Sequence, residues 1–529
     1  MRKPVRLPVL ALLLTVALVM GALPMAFAEP AERVLIEYMP GKGAQVRNSV
    51  QAAGGQVHHE LDRINTIAVS VTDRWANRLA KDPNVVMVEA DPLRYLAGKP
   101  AQDGETTTQV VPWGIEAVQA PEVWAEGFEG EGVKVCVIDT GLYAEHEDLI
   151  GLPSIGGYSQ VDDEWNFDGY GHGTHCTGTI GAVDNEVGVI GVSPGKVDIF
   201  MVKIFDNAGE WVSKAHASDL IEAAFICADN GANIISMSLS GTNKSGKERM
   251  AFESLYEQGI LSVAAASNDG IEVYHYPASY DSVISVAALD ESLNFADFSQ
   301  FNDQVELAAP GVGVLSTVPW LPNSFLFVGG QEYAGQPMEF APYGEVTGTL
   351  VDGGLCLASD PPADWSGAVV LCSRGEVSFA EKVTTVMNND GIGAAIYNNA
   401  EGLFSGTLGA EGDWIAAISL SDADGLDALA YVGQEATLRN AEPILGNGYE
   451  AWGGTSMATP HVAGVAALLW SADPGLTNAQ IREAMAMTAL DLGDPGRDVH
   501  YGYGLVQAYD ALDYLVDLKP GKGPKGPKN

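Results

Sequence analysis

The sequence predicts an α/β fold: a parallel sheet flanked by helices, preceded by a small α+β unit and interrupted by a mainly-β insert. Two changes of pattern carry that expectation. Over residues 111–319 short β-branched runs alternate with helical stretches, as in strands joined by crossover helices. From about residue 320 to 447 the chain turns glycine-rich, with short strand-like runs and few helix signals, and then two strong helices resume. The 529-residue length exceeds one ordinary domain, and a 47% hydrophobic share supplies material for more than one core.

Residues 1–28 read as a signal peptide: Arg2, Lys3 and Arg6 give a positive start, residues 9–20 are apolar, and Ala26-Phe27-Ala28 offers small residues two apart. The apolar run is short for a membrane span. Residues 29–97 form the α+β unit, with strands near 33–39, 64–71 and 85–89 and helices near 44–53 and 75–81. Residues 98–108, with Lys-Pro, Asp-Gly and three threonines, read as a polar linker open to cleavage. The main α/β domain runs over 109–319, with strands near 133–138, 197–202, 234–235 and 259–264 and a helix over 217–230. The insert covers 320–447. The domain resumes over 448–518 with helices near 456–470 and 477–487, the latter opened by a Thr477–Gln480 capping box. Residues 519–529 are a basic low-complexity tail.

A net charge of −41 repels phosphate backbones and anionic lipid, which argues against nucleic-acid and membrane partners. A monomer acting on other molecules is expected. Five cysteines leave at least one thiol without an intrachain partner. Cys356 and Cys372, close in one glycine-rich region, are the expected disulfide, whereas Cys136, Cys176 and Cys227 lie in apolar segments and read as buried small hydrophobes.

Three segments carry the parts of an activated serine. A hydroxyl becomes nucleophilic when a base takes its proton, and a third group must hold the base in the right tautomer. Val137-Ile138-Asp139-Thr140-Gly141 puts a carboxylate at a strand end, Gly171-His172-Gly173-Thr174-His175 places an imidazole at a helix start, and Gly454-Thr455-Ser456-Met457-Ala458 opens another helix. Ser456 there meets a helix N-terminus, whose N–H groups stabilise a developing oxyanion. The order Asp, His, Ser is one of three recurrent triad orders.

These blocks, the third extended through Thr459-Pro460-His461, resemble the three signatures of the subtilisin family of serine endopeptidases. The resemblance implies a three-layer core, a triad of Asp139, His172 and Ser456, and acyl transfer on polypeptides. Ala265-Ala266-Ser267-Asn268-Asp269-Gly270 matches the family segment that gives Asn268 the oxyanion-donor role. Ser236 to Gly241 matches the strand that pairs with extended substrate, so Ser238, Leu239, Ser240, Ala266 and His275 are expected at the substrate. Ser240 stands where the family usually has glycine, and His275 where it often has glycine, which predicts a tighter rim and a shallower or pH-sensitive pocket for the residue before the scissile bond. The family's calcium site implies Gln109, Asp148, Val183, Asn185, Val187 and Val189 as ligands of a structural Ca²⁺, oxygen donors suited to that hard ion. A weaker cation site near Ala278, Tyr280 and Val283 is a second expectation. Residues 29–97 resemble the family's propeptide, an intramolecular inhibitor and folding aid removed by self-cleavage between about 96 and 108, which makes the protein a secreted zymogen. The insert resembles a protease-associated domain, notably in Asn389-Asp-Gly-Ile-Gly-Ala-Ala-Ile-Tyr397-Asn398.

Two rival readings are weaker. A catalytically dead binding protein lacks support because no triad member is missing, and a glycosidase lacks a motif-borne carboxylate pair. His175, His461 and Cys176 are expected as packed residues rather than ligands or nucleophiles.

Overall fold

The computed structural model describes residues 31–97, 99–103, 109–162, 164–206, 213–320, 324–359, 365–400, 402–404, 406–441 and 448–517. The expected signal peptide and basic tail therefore lie outside the described residues, as do positions 98 and 104–108 of the linker. Among the described residues no helix is long and apolar enough to cross a membrane.

Seven strands make the central sheet, in the order Val305–Pro310, Val283–Leu289, Leu261–Ala265, Ile234–Met237, Lys134–Asp139, Asp198–Lys203 and Ile155–Ser159. All neighbours are parallel. A parallel sheet is covered on both faces, which is why its strands read as unbroken apolar runs. The Lys134–Asp139 strand shows both coverings: Val135 and Val137 join one core cluster, while Cys136 and Ile138 join the other. Helices His172–Gly181 and Thr455–Ala472 pack on the first face, and Ala217–Asp229 and Gly246–Glu257 on the second. The strand order reverses around Lys134–Asp139, and Asp139 sits at its carboxyl end, where open α/β sheets place their chemistry.

The N-terminal unit is an antiparallel sheet, ordered Gln56–Leu61, Thr66–Thr72, Ala31–Tyr38, Val85–Ala90, with helices Gly43–Ala52 and Asp73–Leu79 over its own core. The Gln56–Leu61 strand escaped sequence reading because Gln-Val-His-His-Glu-Leu is polar and half-exposed at the sheet edge. The linker also departs from expectation: Lys99–Asp103 is a strand, paired antiparallel with Tyr449–Gly453. An exposed strand edge offers N–H and C=O groups to any extended chain, so pairing needs no apolar pattern.

In the insert, eight strands run Ser324–Val328, Glu435–Asn440, Gly344–Asp352, Val369–Ser373, Gly393–Tyr397, Ala416–Leu420, Gln331–Glu339, Gly406–Thr407, and Ser324–Val328 also pairs with Gln331–Glu339. The mainly-β expectation thus meets two helices it did not foresee, Asp422–Ala428 and Phe379–Asn388, the latter opened by a Ser378–Glu381 capping box. Cys356 and Cys372 are disulfide-bonded as expected. Cys136 and Cys227 are not buried thiols but a second disulfide, tying the central strand to helix Ala217–Asp229. Cys176 alone remains free and buried among the described residues.

Candidate active site

Asp139 and His172 meet because a strand end and a helix start abut. His172 Nδ1 donates to Asp139, 2.8 Å from Oδ1 and 2.9 Å from Oδ2, and both side chains are wholly buried. The approach requires Gly173, since a Cβ there would lie 2.2 Å from the Gly141 carbonyl oxygen and 3.1 Å from Asp139 Cβ. Thr140 N also donates to Asp139 Oδ1 at 2.7 Å. Burial lowers the His172 pKa, but the Asp139 carboxylate outweighs it and the net shift is well above the ordinary value. Nδ1 is committed to Asp139, and Nε2 is buried without a hydrogen-bond partner.

Ser456 lies in the first turn of Thr455–Ala472, as the sequence implied. Its Oγ donates to Ser238 O at 2.9 Å rather than to His172. Cys176 bridges the neighbourhood, with Sγ 3.3 Å from Ser238 Oγ, 3.6 Å from Ser456 O and 3.9 Å from His172 Nδ1. The ligand-type atoms of Asp139, His172 and Cys176 lie within 4.8 Å of one another, and burial raises the Cys176 pKa.

The chain's own segment Leu93–Ala97 fills the space in front of Ser456. Leu93–Leu96 is the middle strand of three, antiparallel to Ala215–His216 on one side and Leu239–Ser240 on the other, with Leu239 opposite Leu96 and Ser240 opposite Tyr95. Ala97 N donates to Ser238 O at 3.3 Å. The Ala97 carbonyl oxygen accepts from Ser456 N at 3.1 Å and from Asn268 Nδ2 at 2.5 Å. Asn268 is itself held, because its Oδ1 accepts from Thr455 N and Oγ1 at 2.9 and 3.0 Å. Two N–H donors thus converge on one carbonyl beside a serine hydroxyl.

The structure brings Ser238, Leu239 and Ser240 onto this segment. Ser240 Oγ donates to Ser267 Oγ at 3.0 Å and lies 3.4 Å from His275 Nδ1. Ala266 is buried just before Ser267 and Asn268. Burial lowers the His275 pKa despite Asp269, whose Oδ2 is 3.3 Å from Nε2 without hydrogen-bond geometry.

Gln109, Asp148, Val183, Asn185, Val187 and Val189 also converge. Gln109 Nε2 donates to Val183 O, Asn185 Nδ2 to Asp148 Oδ1, Val189 N to Asp148 Oδ2, and Val187 N to Asn185 Oδ1, at 2.8–3.0 Å. Asp148 is fully buried beside Glu147, and burial pushes its pKa up to about 7. Among the described residues no lysine or arginine pairs with it. At the expected weaker site the Val283 carbonyl instead faces Arg482, whose guanidinium also reaches Asp281 O and Glu306, so a protein cation already serves it.

Sequence reading missed three contributors. Asp168, fully buried, accepts from Thr140 Oγ1, Gly171 N and Thr174 N and Oγ1 and so pins the start of the His172 helix; it stands outside the cap position, where sequence signals for helix starts are read. Trp452 is buried against His172 and stacks on His175 at 5.0 Å, and nothing in the sequence marked it. Ala97 was hidden because its role lies in a backbone carbonyl. His175 and His461 are packed as expected, each bonded to backbone carbonyls and each with its pKa lowered by burial, to about 3 and about 4.

Comparison with known proteins agrees with this geometry. The Subtilase family profile matches residues 130–333 and 368–504. A thermostable alkaline protease of Halalkalibacterium halodurans is 30% identical over 510 residues, 96% of this chain and 99% of that protein. Subtilisin DY of Bacillus licheniformis is 43% identical over 216 residues, 40% of this chain and 76% of that protein. Among solved structures, the psychrophilic subtilisin-like protease Apa1 of Pseudoalteromonas sp. AS-11 is similar at 33% identity and a TM-score of 0.51, covering 79% of this chain and all of that one. Fervidolysin of Fervidobacterium pennivorans, a keratinolytic enzyme related to subtilisin, is similar at 25% identity and a TM-score of 0.60, over 92% of this chain and 62% of that one.

Proposed function

The chain belongs to the subtilase family and is a serine endopeptidase, and from that premise we propose that Ser456, His172, Asp139 and Asn268 carry the reaction and that Ala97–Gly98 is the bond the enzyme cuts in itself. The observation that carries this reading is the Ala97 carbonyl oxygen held by Ser456 N and Asn268 Nδ2. Rotation about the Ser456 Cα–Cβ bond takes Oγ from Ser238 O to the unpartnered His172 Nε2. That nitrogen accepts the hydroxyl proton as Oγ adds to the Ala97 carbonyl carbon, and the carbonyl electron pair moves onto oxygen between the two donors. Asp139 stabilises the imidazolium and holds the tautomer. His172 then protonates the Gly98 nitrogen as the C–N bond breaks, leaving an acyl-enzyme on Ser456 that water, deprotonated by His172, hydrolyses. Polypeptide substrates follow the same course.

In this reading residues 29–97 are an inhibitory propeptide. Beyond the cleft strand, its docking rests on carboxylates at two helix starts: Asp91 accepts from Ser218 N and Oγ, and Glu89 from Ser245 Oγ and Lys247 N. Ala97 presents a small side chain where Ser240 and His275 narrow the pocket. The oxygen donors around Asp148 fit Ca²⁺, since a buried carboxylate without a basic partner gains most from a divalent ion; Gln109, Asp148, Asn185 and the carbonyls of Val183, Val187 and Val189 would hold it, and it would clamp the start of the mature chain to the 183–189 loop. The segment 1–28 supports export, and the insert is taken as a protease-associated domain. N-terminal sequencing of the wild type and of Ser456→Ala tests the central reading: the wild type is expected to begin at Gly98 and the variant to stay uncut there. A wild type beginning elsewhere, or a variant cut normally, would refute it.

A further inference from the structure

Because Leu93–Ala97 lies in the cleft as a substrate does, its side chains report the pockets upstream of the reacting bond, provided that bond is Ala97–Gly98 as proposed above. Counting back from Ala97, the fourth residue is Arg94. Its side chain is completely buried, and so is that of Glu248, with which it pairs. The pairing is a two-pronged fork: Arg94 Nε donates to Glu248 Oε1 at 2.9 Å and Nη2 to Oε2 at 2.5 Å. Two of the other donors are taken by backbone, Nη2 reaching Asn243 O at 3.2 Å and Nη1 reaching Leu93 O at 2.8 Å.

The receiving side is built, not incidental. Glu248 stands in the first turn of Gly246–Glu257, where Ser245 Oγ caps its N–H. The Tyr280 hydroxyl lies 2.7 Å from Glu248 Oε2 and accepts from Ser245 N at 3.0 Å, which fixes the carboxylate from the other side. Gly241 admits the guanidinium: a Cβ there would lie 2.4 Å from Leu93 O and 2.8 Å from Arg94 Nη1. Burial lowers the Arg94 pKa, but Glu248 more than reverses it, so the side chain stays charged in place.

We propose that Glu248 makes the pocket four residues upstream of the scissile bond selective for arginine, so that this peptidase favours polypeptides with arginine there and a small residue at the bond. An apolar side chain in that pocket would exclude water from Glu248 and leave its carboxylate unpaired, a penalty that a purely apolar pocket does not impose. Lysine is a weaker ligand because one ammonium cannot reproduce the fork. The competing reading is that Arg94 merely tethers the N-terminal unit and that cleaved substrates ignore Glu248.

Mature wild-type enzyme decides between them with peptidyl nitroanilides of sequence Xaa-Tyr-Leu-Ala, where Xaa is Arg, Lys, Leu or Ala. The expected kcat/KM for Arg exceeds that for Leu or Ala by about 10- to 100-fold, with Lys between them. Arg94→Leu with Glu248→Leu, which replaces the buried pair by two apolar groups and leaves the Asp91 and Glu89 contacts of the N-terminal unit untouched, is expected to mature and to prefer Leu over Arg. A wild type that turns over Leu or Ala as fast as Arg overturns the proposal and leaves the tether, and so does a double variant that keeps the Arg preference. If the double variant fails to mature, the wild-type panel still decides. The underlying register is read separately by the mature N-terminus: a start other than Gly98 would displace Arg94 from the fourth position whatever the panel shows.

Discussion

Asn268 gives the sharpest test of how the site works, because its two side-chain ends do different things. Nδ2 meets the Ala97 carbonyl oxygen at 2.5 Å, while Oδ1 accepts from Thr455 N and Oγ1 and so holds the turn that carries Ser456. Losing the corresponding donor in a subtilisin lowers kcat by about 10²–10³, or about 2.7–4 kcal/mol of transition-state stabilisation. Here the Asn268 contact is the shorter of the two on that oxygen, the other being 3.1 Å, so the upper half of that range is expected for Asn268→Ala. Alanine also strips the acceptor from Thr455 N, a part-buried donor whose loss costs about 1–3 kcal/mol in stability. Asn268→Asp separates the effects. It keeps the acceptor and the shape, so Tm should move little, but it sets a carboxylate oxygen against the developing oxyanion, so kcat should fall at least as far as in Asn268→Ala. Steady-state kinetics on a peptidyl nitroanilide, with thermal melts in a Ser456→Ala background to prevent autolysis, provide both numbers. KM should stay within about threefold, since the donor acts mainly on the transition state. An aspartate variant turning over near the wild-type rate, or a loss confined to KM, would refute the reasoning.

Other consequences can be checked in the same background. Removing Ca²⁺ with a chelator should lower Tm by about 5 °C, the shift expected for a ligand worth about 3–4 kcal/mol in a domain of this size, and Asp148→Ala should make the chelator ineffective; melts that ignore Ca²⁺ would contradict the site. The raised His172 pKa means that a protonated, inactive imidazole persists above the usual 6.5, so kcat/KM should climb through one inflection on the alkaline side of that value. The same shift favours the folded state most below the unfolded pKa and loses that contribution as pH rises through the folded one. A profile already flat at pH 6 would contradict it. Replacing both Cys136 and Cys227 by alanine should cost about 4–5 kcal/mol, against about 3 for Cys356 and Cys372, because the closed loops span 91 and 16 residues; equal melting shifts would count against a chain-entropy origin.

What the sequence disclosed depended on whether the information was local. The positions of Asp139, His172 and Ser456, at a strand end and two helix starts, were readable because each sits in a short block that carries its own glycine and its own element end. The alternation of apolar runs announced the parallel sheet because both of its faces are buried, as Val135 and Cys136 show by entering different cores. The Cys136–Cys227 bond was not readable, since two cysteines 91 positions apart in apolar runs look like any small core residue. Nor was the Arg94–Glu248 pair, which joins residues 154 positions apart on a cleft strand and a helix. Lys99–Asp103 shows the opposite failure: a polar stretch became a strand because an edge was available, not because its own pattern demanded one.

Every step of the proposed chemistry begins with Ser456 as the attacking group. Labelling the mature protein with a fluorophosphonate and mapping the adduct by peptide mass spectrometry tests that role most directly. One phosphonylated residue, Ser456, is expected, with peptidase activity lost in proportion to its labelling and labelling slowed sharply in His172→Ala. Full activity with Ser456 unlabelled, or loss of activity tracking an adduct on another residue, would contradict it.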